Sequence, residues 1–178
     1  MERADTRCVL CSSERRALLY QQGGWNVYRC SDCGLGILDP RPDQNEQGAL
    51  YQSSYFQEQY DKGLEPGSSE MKRRLSHEDH RVRFFRGIRK QGRLLDIGCG
   101  MGYFLLACRN YGYYVEGFDI SDDAAAYVKG RLEIPVKTGD IASLPYESGS
   151  WDIITMWHFL EHTPDPRVYL KKTWQWLK

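Results

Sequence analysis

This 178-residue chain has no surplus of charge of either sign. Its 24 Lys and Arg stand against 24 Asp and Glu, a net charge of zero. That balance removes any overall pull toward nucleic acid or an anionic membrane surface. There is no long apolar run and no signal-peptide pattern, which excludes a transmembrane span and leads us to expect a reducing, cytoplasmic setting. Internal repeats and low-complexity tracts are lacking too, which sets aside repeat architectures.

Cysteine, by contrast, is well supplied. Four of the six form Cys8-x-x-Cys11 and Cys30-x-x-Cys33, with 18 residues between the pairs. In a reducing compartment this spacing points to a four-thiolate zinc site rather than to disulfides. Each pair gives two thiolates from one turn, and Gly34 supplies the positive φ that such a turn needs. Gly23-Gly24 lies midway, where a hairpin would reverse. Four thiolates leave no open position for a catalytic water, so the metal is expected to be structural, in a segment too short to fold on its own core. The expected role is a scaffold that holds the next segment over an active site. Nucleic-acid binding is the alternative, and Arg15-Arg16 is the only adjacent basic pair there to support it.

The most informative stretch is Leu94-Leu95-Asp96-Ile97-Gly98-Cys99-Gly100-Met101-Gly102. It reads as a buried strand, then a glycine turn into a helix, the usual start of a nucleotide-type cofactor site. Dinucleotide binders use G-x-G-x-x-G. Here the third glycine comes one residue early. Tyr114 to Asp119 reads as a second strand ending in an acid. Asp119 lies 21 residues after Gly98, close to the ~20 expected of a carboxylate that accepts ribose hydroxyls. Pro135 to Ile141 reads as a third strand, ending in Gly139-Asp140. Trp151 to Met156 reads as a fourth, and Glu161-His162-Thr163-Pro164-Asp165-Pro166 as a loop leading into a helix.

The motif D-x-G-x-G-x-G, followed by these acids in this order, resembles the class I S-adenosylmethionine-dependent methyltransferases. The resemblance covers Arg93 to Lys178. It implies an α/β fold: a Rossmann-like sheet, here its first four strands only, preceded by the zinc ribbon. It also implies roles. Asp96 would orient the cofactor's methionine amino group. Gly98, Cys99 and Gly100 would pass under the methionine part and ribose, with Gly102 closing the turn. Asp119 would take the ribose, and Ile120 would lie on one face of adenine. Asp140 would take the adenine amino group, with Ile141 nearby. Cys99 and Cys108 read as packing residues, since nothing near them in sequence would lower a thiol pKa. In this family three more strands follow the last helix, so the chain is expected to be a fragment whose open sheet edge could self-associate.

Three domains are expected: a zinc ribbon over 1–40, an aromatic linker or lid over 41–68 carrying Tyr51, Tyr55, Phe56 and Tyr60, and a cofactor-binding core over 69–178. Met71 to Arg93 carries nine Lys or Arg against Glu78 and Asp79, a net of +7. It reads as a helix with Leu75, Val82, Phe85 and Ile88 on one face and the charges on a solvated one. Anion binding by that charged face is the alternative.

His158-Phe159-Leu160-Glu161-His162 matches H-x-x-E-H of inverted zinc peptidases, but Pro164 breaks the long helix that motif requires. Methyltransferases carrying E-x-x-E-H here include some that bind a divalent cation; with His158 in place of the first Glu, a loop fixed by Glu161 and His162 is expected instead. His158 is the candidate catalytic base, because open α/β sheets place substrate chemistry just past their strand ends. The expected function is methyl transfer to a small-molecule acceptor, a sugar or phenol-like hydroxyl or carbon, with no membrane partner. The alternatives are a nucleic-acid methyltransferase, which lacks here the Asn/Asp-Pro-Pro-Tyr/Trp motif of amino-group methylation, and a non-catalytic cofactor- or partner-binding module.

Overall fold

A computed structural model describes residues 7–40, 64–139, 141–163 and 165–178. The aromatic segment with Tyr51, Tyr55, Phe56 and Tyr60 lies outside the described residues, as does Asp140.

The front of the chain is an antiparallel three-stranded sheet: β1 (Arg16–Gln22), β2 (Trp25–Cys30) and β3 (Gly36–Asp39), in that order. Gly23 and Gly24, at φ 58° and 85°, make the turn between β1 and β2, since a two-residue hairpin turn of this hand needs φ above zero at both centres. The sheet buries very little. Its core is Cys8, Cys30 and Ile37, with Leu35 against it, while Leu18, Leu19 and Tyr20 stay exposed. An apolar core of that size does not hold a fold.

The second unit is α/β. Helix α1 (Ser69–Arg86) precedes β4 (Arg93–Ile97), α2 (Tyr103–Asn110), β5 (Tyr114–Phe118), α3 (Asp122–Arg131), β6 (Val136–Lys137), β7 (Ile153–Thr155) and α4 (Pro166–Trp176). Single 3-10 turns lie at Ile141–Ser143 and Leu160–His162. The strands are all parallel, in the order β6-β5-β4-β7. Going outward from β4 the order therefore runs both ways, and the crevice at its carboxyl end is a topological switch point, where ligands bind in such sheets.

Strand β4 is central and has no solvated face: Leu94, Leu95 and Ile97 are fully buried. Alternate side chains point to opposite faces. Leu94 joins a cluster with Val82, Phe85, Phe104, Leu105 and Val128. Leu95 and Ile97 join another with Phe118, Trp151 and Trp176. Helix starts are capped by side chains that accept the N–H groups the first turn leaves unpaired. Ser68 accepts from the Met71 amide, Ser121 from Ala124 and Asp165 from Arg167.

Helix α1 corrects two expectations. It ends at Arg86, with Gly87 following, so Ile88 is 86% exposed rather than on the buried face. Its charges are not all solvated either: Glu78 is 2% exposed. Strand β6 spans two residues rather than the whole run from Pro135, because the chain turns away at Gly139, φ 105°.

Gly117 pairs with Asp96 across β4 and β5. A Cβ there would stand 2.6 Å from Cys99 Sγ and 2.9 Å from Leu105 Cδ1. The backbone at Gly117 is ordinary strand, so a substitution is opposed by packing alone. Gly117→Ala is expected to lower stability by about 1–3 kcal/mol, and thermal unfolding with and without Cys99→Ala checks it: the second change should recover part of the loss.

Candidate cofactor site and four-cysteine cluster

The chain leaves β4 through Gly98, Gly100 and Gly102, all with positive φ (79°, 50° and 69°). Two hydrogen bonds fold this turn back on the sheet. The amides of Gly98 and Cys99 both donate to the Phe118 carbonyl, at 2.7 and 3.1 Å. A third comes from Asp119, just past β5: one carboxylate oxygen accepts from the Gly100 amide at 2.7 Å and the other from Ser121 at 2.9 Å. Asp119 thus latches the glycine turn and the start of α3 together. Burial pushes its carboxyl above the usual range, and the amides of Ser121, Gly100 and Ile120 pull it back. Next to it Ile120 is 63% exposed. A buried acid with an exposed branched side chain beside it fits a ribose and the face of a purine.

Asp96 lies at the base of the turn, 3% exposed. Its hydrogen-bond partner is the Thr155 hydroxyl of β7, at 2.7 Å. Burial pushes its carboxyl up to about 7, against the lowering effect of Thr155 and of the Arg81 charge. A buried carboxylate with so little compensation is suited to a cationic partner. The α-ammonium of a methionine moiety is such a group.

Gly98 is required by a protein side chain as well as by any ligand, since a Cβ there would overlap the Phe159 ring. Gly102, the residue before α2, would bring a Cβ to 2.9 Å from Val128. Cys99 and Cys108 are buried and their thiols are pushed upward by that burial, as packing residues should be. Ile141 is 2% exposed and packs with Ile97 and Phe118, in the 3-10 turn that follows β6.

His158 sits past β7 at φ 51°, with its side chain 77% exposed. A non-glycine residue held there is a cue for function at a strand end. Glu161 Oε1 lies 3.6 Å from its Nδ1, an ion-pair spacing. The segment Leu160–His162 is a single 3-10 turn, closed by the His162 amide on the Phe159 carbonyl. Among the described residues, His158, Glu161 and His162 do not converge as a metal-binding group; the four cysteines do.

Arg81 escaped the sequence reading. Its guanidinium lies 5.2 Å over the Trp157 ring, two residues beyond β7, and its charge reaches Asp96. The signal available was Arg74-x-x-x-Glu78-x-x-Arg81, a pattern that puts an acid between two bases on one helix face.

The sulfurs of Cys8, Cys11, Cys30 and Cys33 all lie within 4.8 Å of one another. The cross pairs Cys8–Cys33 and Cys11–Cys30 stand at 3.6 and 3.5 Å. Four thiolates at ~2.3 Å from a central zinc are about 3.8 Å apart, so the set fits a tetrahedral ion, whereas a disulfide needs about 2.05 Å. Cys30 is pushed down to about 6 by the amides of Cys33 and Asp32 aimed at its sulfur. Cys11, against the pull of the Ser13 amide, is pushed up to about 12 by burial and its neighbouring sulfurs. Four thiols this close do not all ionise without a cation among them.

A parallel sheet with a switch point at a glycine turn, and an acid at the next strand end, defines an α/β domain built for a nucleoside-bearing cofactor. The family described as Methyltransferase domain matches residues 68–178. The chain belongs to that family. The ubiquinone biosynthesis O-methyltransferase of Coxiella burnetii is 35% identical over 83 residues, covering 44% of this chain and 36% of that protein. The ajmaline N-methyltransferase of Rauvolfia serpentina is 25% identical over 92 residues, covering 47% and 32%. A SAM-dependent methyltransferase of Archaeoglobus fulgidus has a solved structure that is similar at 28% identity and a TM-score of 0.50, over 70% of this chain and 53% of its own. The chain spans about a third of the length of the curated relatives it matches. No helix among the described residues is long and apolar enough to cross a membrane.

Proposed function

We propose that this chain carries the cofactor-binding part of an S-adenosylmethionine-dependent methyltransferase that acts on a small-molecule acceptor, with a structural zinc in its ribbon. The observation that carries the cofactor reading is the pair of buried acids at adjacent strand ends, Asp96 short of partners and Asp119 latched to the glycine turn. Asp96 holds the ammonium of the methionine moiety and Arg81 its carboxylate. Asp119 accepts the ribose hydroxyls and Ile120 covers one adenine face; Asp140 is assigned the adenine amino group from the motif alone. When bound, S-adenosylmethionine supplies an electrophilic methyl group on sulfur. His158, at the mouth of the crevice, takes the proton from an acceptor hydroxyl as it attacks. The similarity to a protein named as an O-methyltransferase of ubiquinone biosynthesis supports a phenol-like oxygen as acceptor.

The Asp96 assignment predicts a pH dependence. Its carboxyl carries a proton below about pH 7, and an ammonium ligand must expel that proton to pair with it. Affinity for S-adenosylhomocysteine is therefore expected to rise with pH, roughly tenfold from pH 6 to pH 8. Calorimetric titration at the two pH values checks this, with Asp96→Asn as the control that should flatten the profile. A flat wild-type profile would remove Asp96 from the ammonium role.

A further inference from the structure

Glu78 occupies the middle of α1, 2% exposed. One of its carboxylate oxygens pairs with Arg74 at 3.0 Å and the other with Arg81, also at 3.0 Å. Each guanidinium then rests on an aromatic ring. Arg74 lies 5.6 Å over Tyr103, the residue directly after Gly102. Arg81 lies 5.2 Å over Trp157, just past β7. One buried acid thus ties together two bases, one over the start of α2 and one over the segment just past β7.

Taking a carboxylate out of water is costly, and an apolar residue in its place is often as good for stability. The arrangement offers something an apolar residue would not. Arginine has five N–H groups in a rigid fork, and the Arg81 bond to Glu78 uses one nitrogen, Nη1. Among the described residues, no hydrogen bond engages the rest of the fork. A flexible side chain is being held in one orientation, against the ring just past β7, with donors to spare.

We propose that Glu78 is a positioning residue for cofactor binding: it fixes the Arg81 fork so that its unused N–H groups meet the carboxylate of the cofactor's amino-acid end. The proposal rests on the S-adenosylmethionine reading and on the place given there to Arg81. Glu78 itself touches no ligand. It acts by removing the cost of ordering Arg81 at each binding event.

Two probes separate this role from a structural one: S-adenosylhomocysteine, and 5′-methylthioadenosine, which has the nucleoside but no amino-acid end. Their affinities are measured by calorimetry for the wild type, Glu78→Gln, Arg81→Met and the double variant. Glu78→Gln is expected to weaken S-adenosylhomocysteine roughly tenfold and Arg81→Met roughly thirtyfold or more, in line with loss of charge-assisted bonds and their pre-ordering. Both should leave 5′-methylthioadenosine within about twofold, and the double variant should be no weaker than Arg81→Met, as expected of two residues acting as one unit. Equal loss of both ligands in Glu78→Gln, no loss of either, or additive losses in the double variant would overturn the positioning role. An unchanged affinity in Arg81→Met would overturn the Arg81 assignment and this proposal with it. A wild type that binds neither probe would overturn the cofactor reading itself.

Discussion

Asp119→Ala is expected to weaken S-adenosylhomocysteine binding by roughly two to three orders of magnitude. Hydrogen bonds to a charged group contribute about 1.5–3 kcal/mol each, and the assigned ribose offers two hydroxyls. The loss also has a second source. Asp119 accepts the Gly100 and Ser121 amides at 2.7 and 2.9 Å, so the alanine variant leaves both donors unmet and frees the glycine turn from α3. Asp119→Asn keeps one acceptor oxygen for that latch but none of the charge. It should bind between the wild type and the alanine variant. Calorimetry gives the affinities, and amide exchange at Gly100 separates the two sources. An alanine variant that binds as tightly as the wild type would remove Asp119 from the site.

Removal of zinc is expected to unfold the front of the chain and leave the α/β unit intact. The ribbon core is Cys8, Cys30 and Ile37, and structural zinc contributes roughly 10–16 kcal/mol of apparent binding free energy in small domains of this kind. Amides of β1 to β3 should exchange at unfolded-chain rates in excess chelator, while those of β4 and β5 keep their protection. Cys8→Ser should reproduce the effect without chelator. Retained protection in β1 to β3 after complete metal loss would show that packing, not metal, holds the sheet.

Some of this was legible in the sequence because the chemistry is local there. A turn that passes backbone close to other atoms needs glycine at set spacings, and the positive φ values of Gly98, Gly100 and Gly102 match that reading. A strand-end acid about 20 residues on from the turn marks the end of the adjacent parallel strand, where Asp119 is found. The cysteine spacing likewise encodes its own geometry, and the four sulfurs do converge.

What was missed concerns burial, which is decided by what packs from elsewhere or by where an element ends. Glu78 and its two arginines look like a solvated helix face until α1 is laid against α2. Ile88 continued the apolar period of that helix, yet Gly87 ends the helix and leaves it outside. Phe159 occupies the side of Gly98 that a Cβ would fill; the two are 61 positions apart, and no spacing rule links them.

Native mass spectrometry of this chain with S-adenosylhomocysteine, run beside Asp119→Ala, decides whether the strand-end acid holds the cofactor. One zinc and one S-adenosylhomocysteine are expected on each wild-type chain, with the nucleoside adduct lost in the variant and the zinc kept. A zinc-loaded wild-type chain with no adduct at saturating ligand, or an adduct that survives Asp119→Ala unchanged, would contradict it.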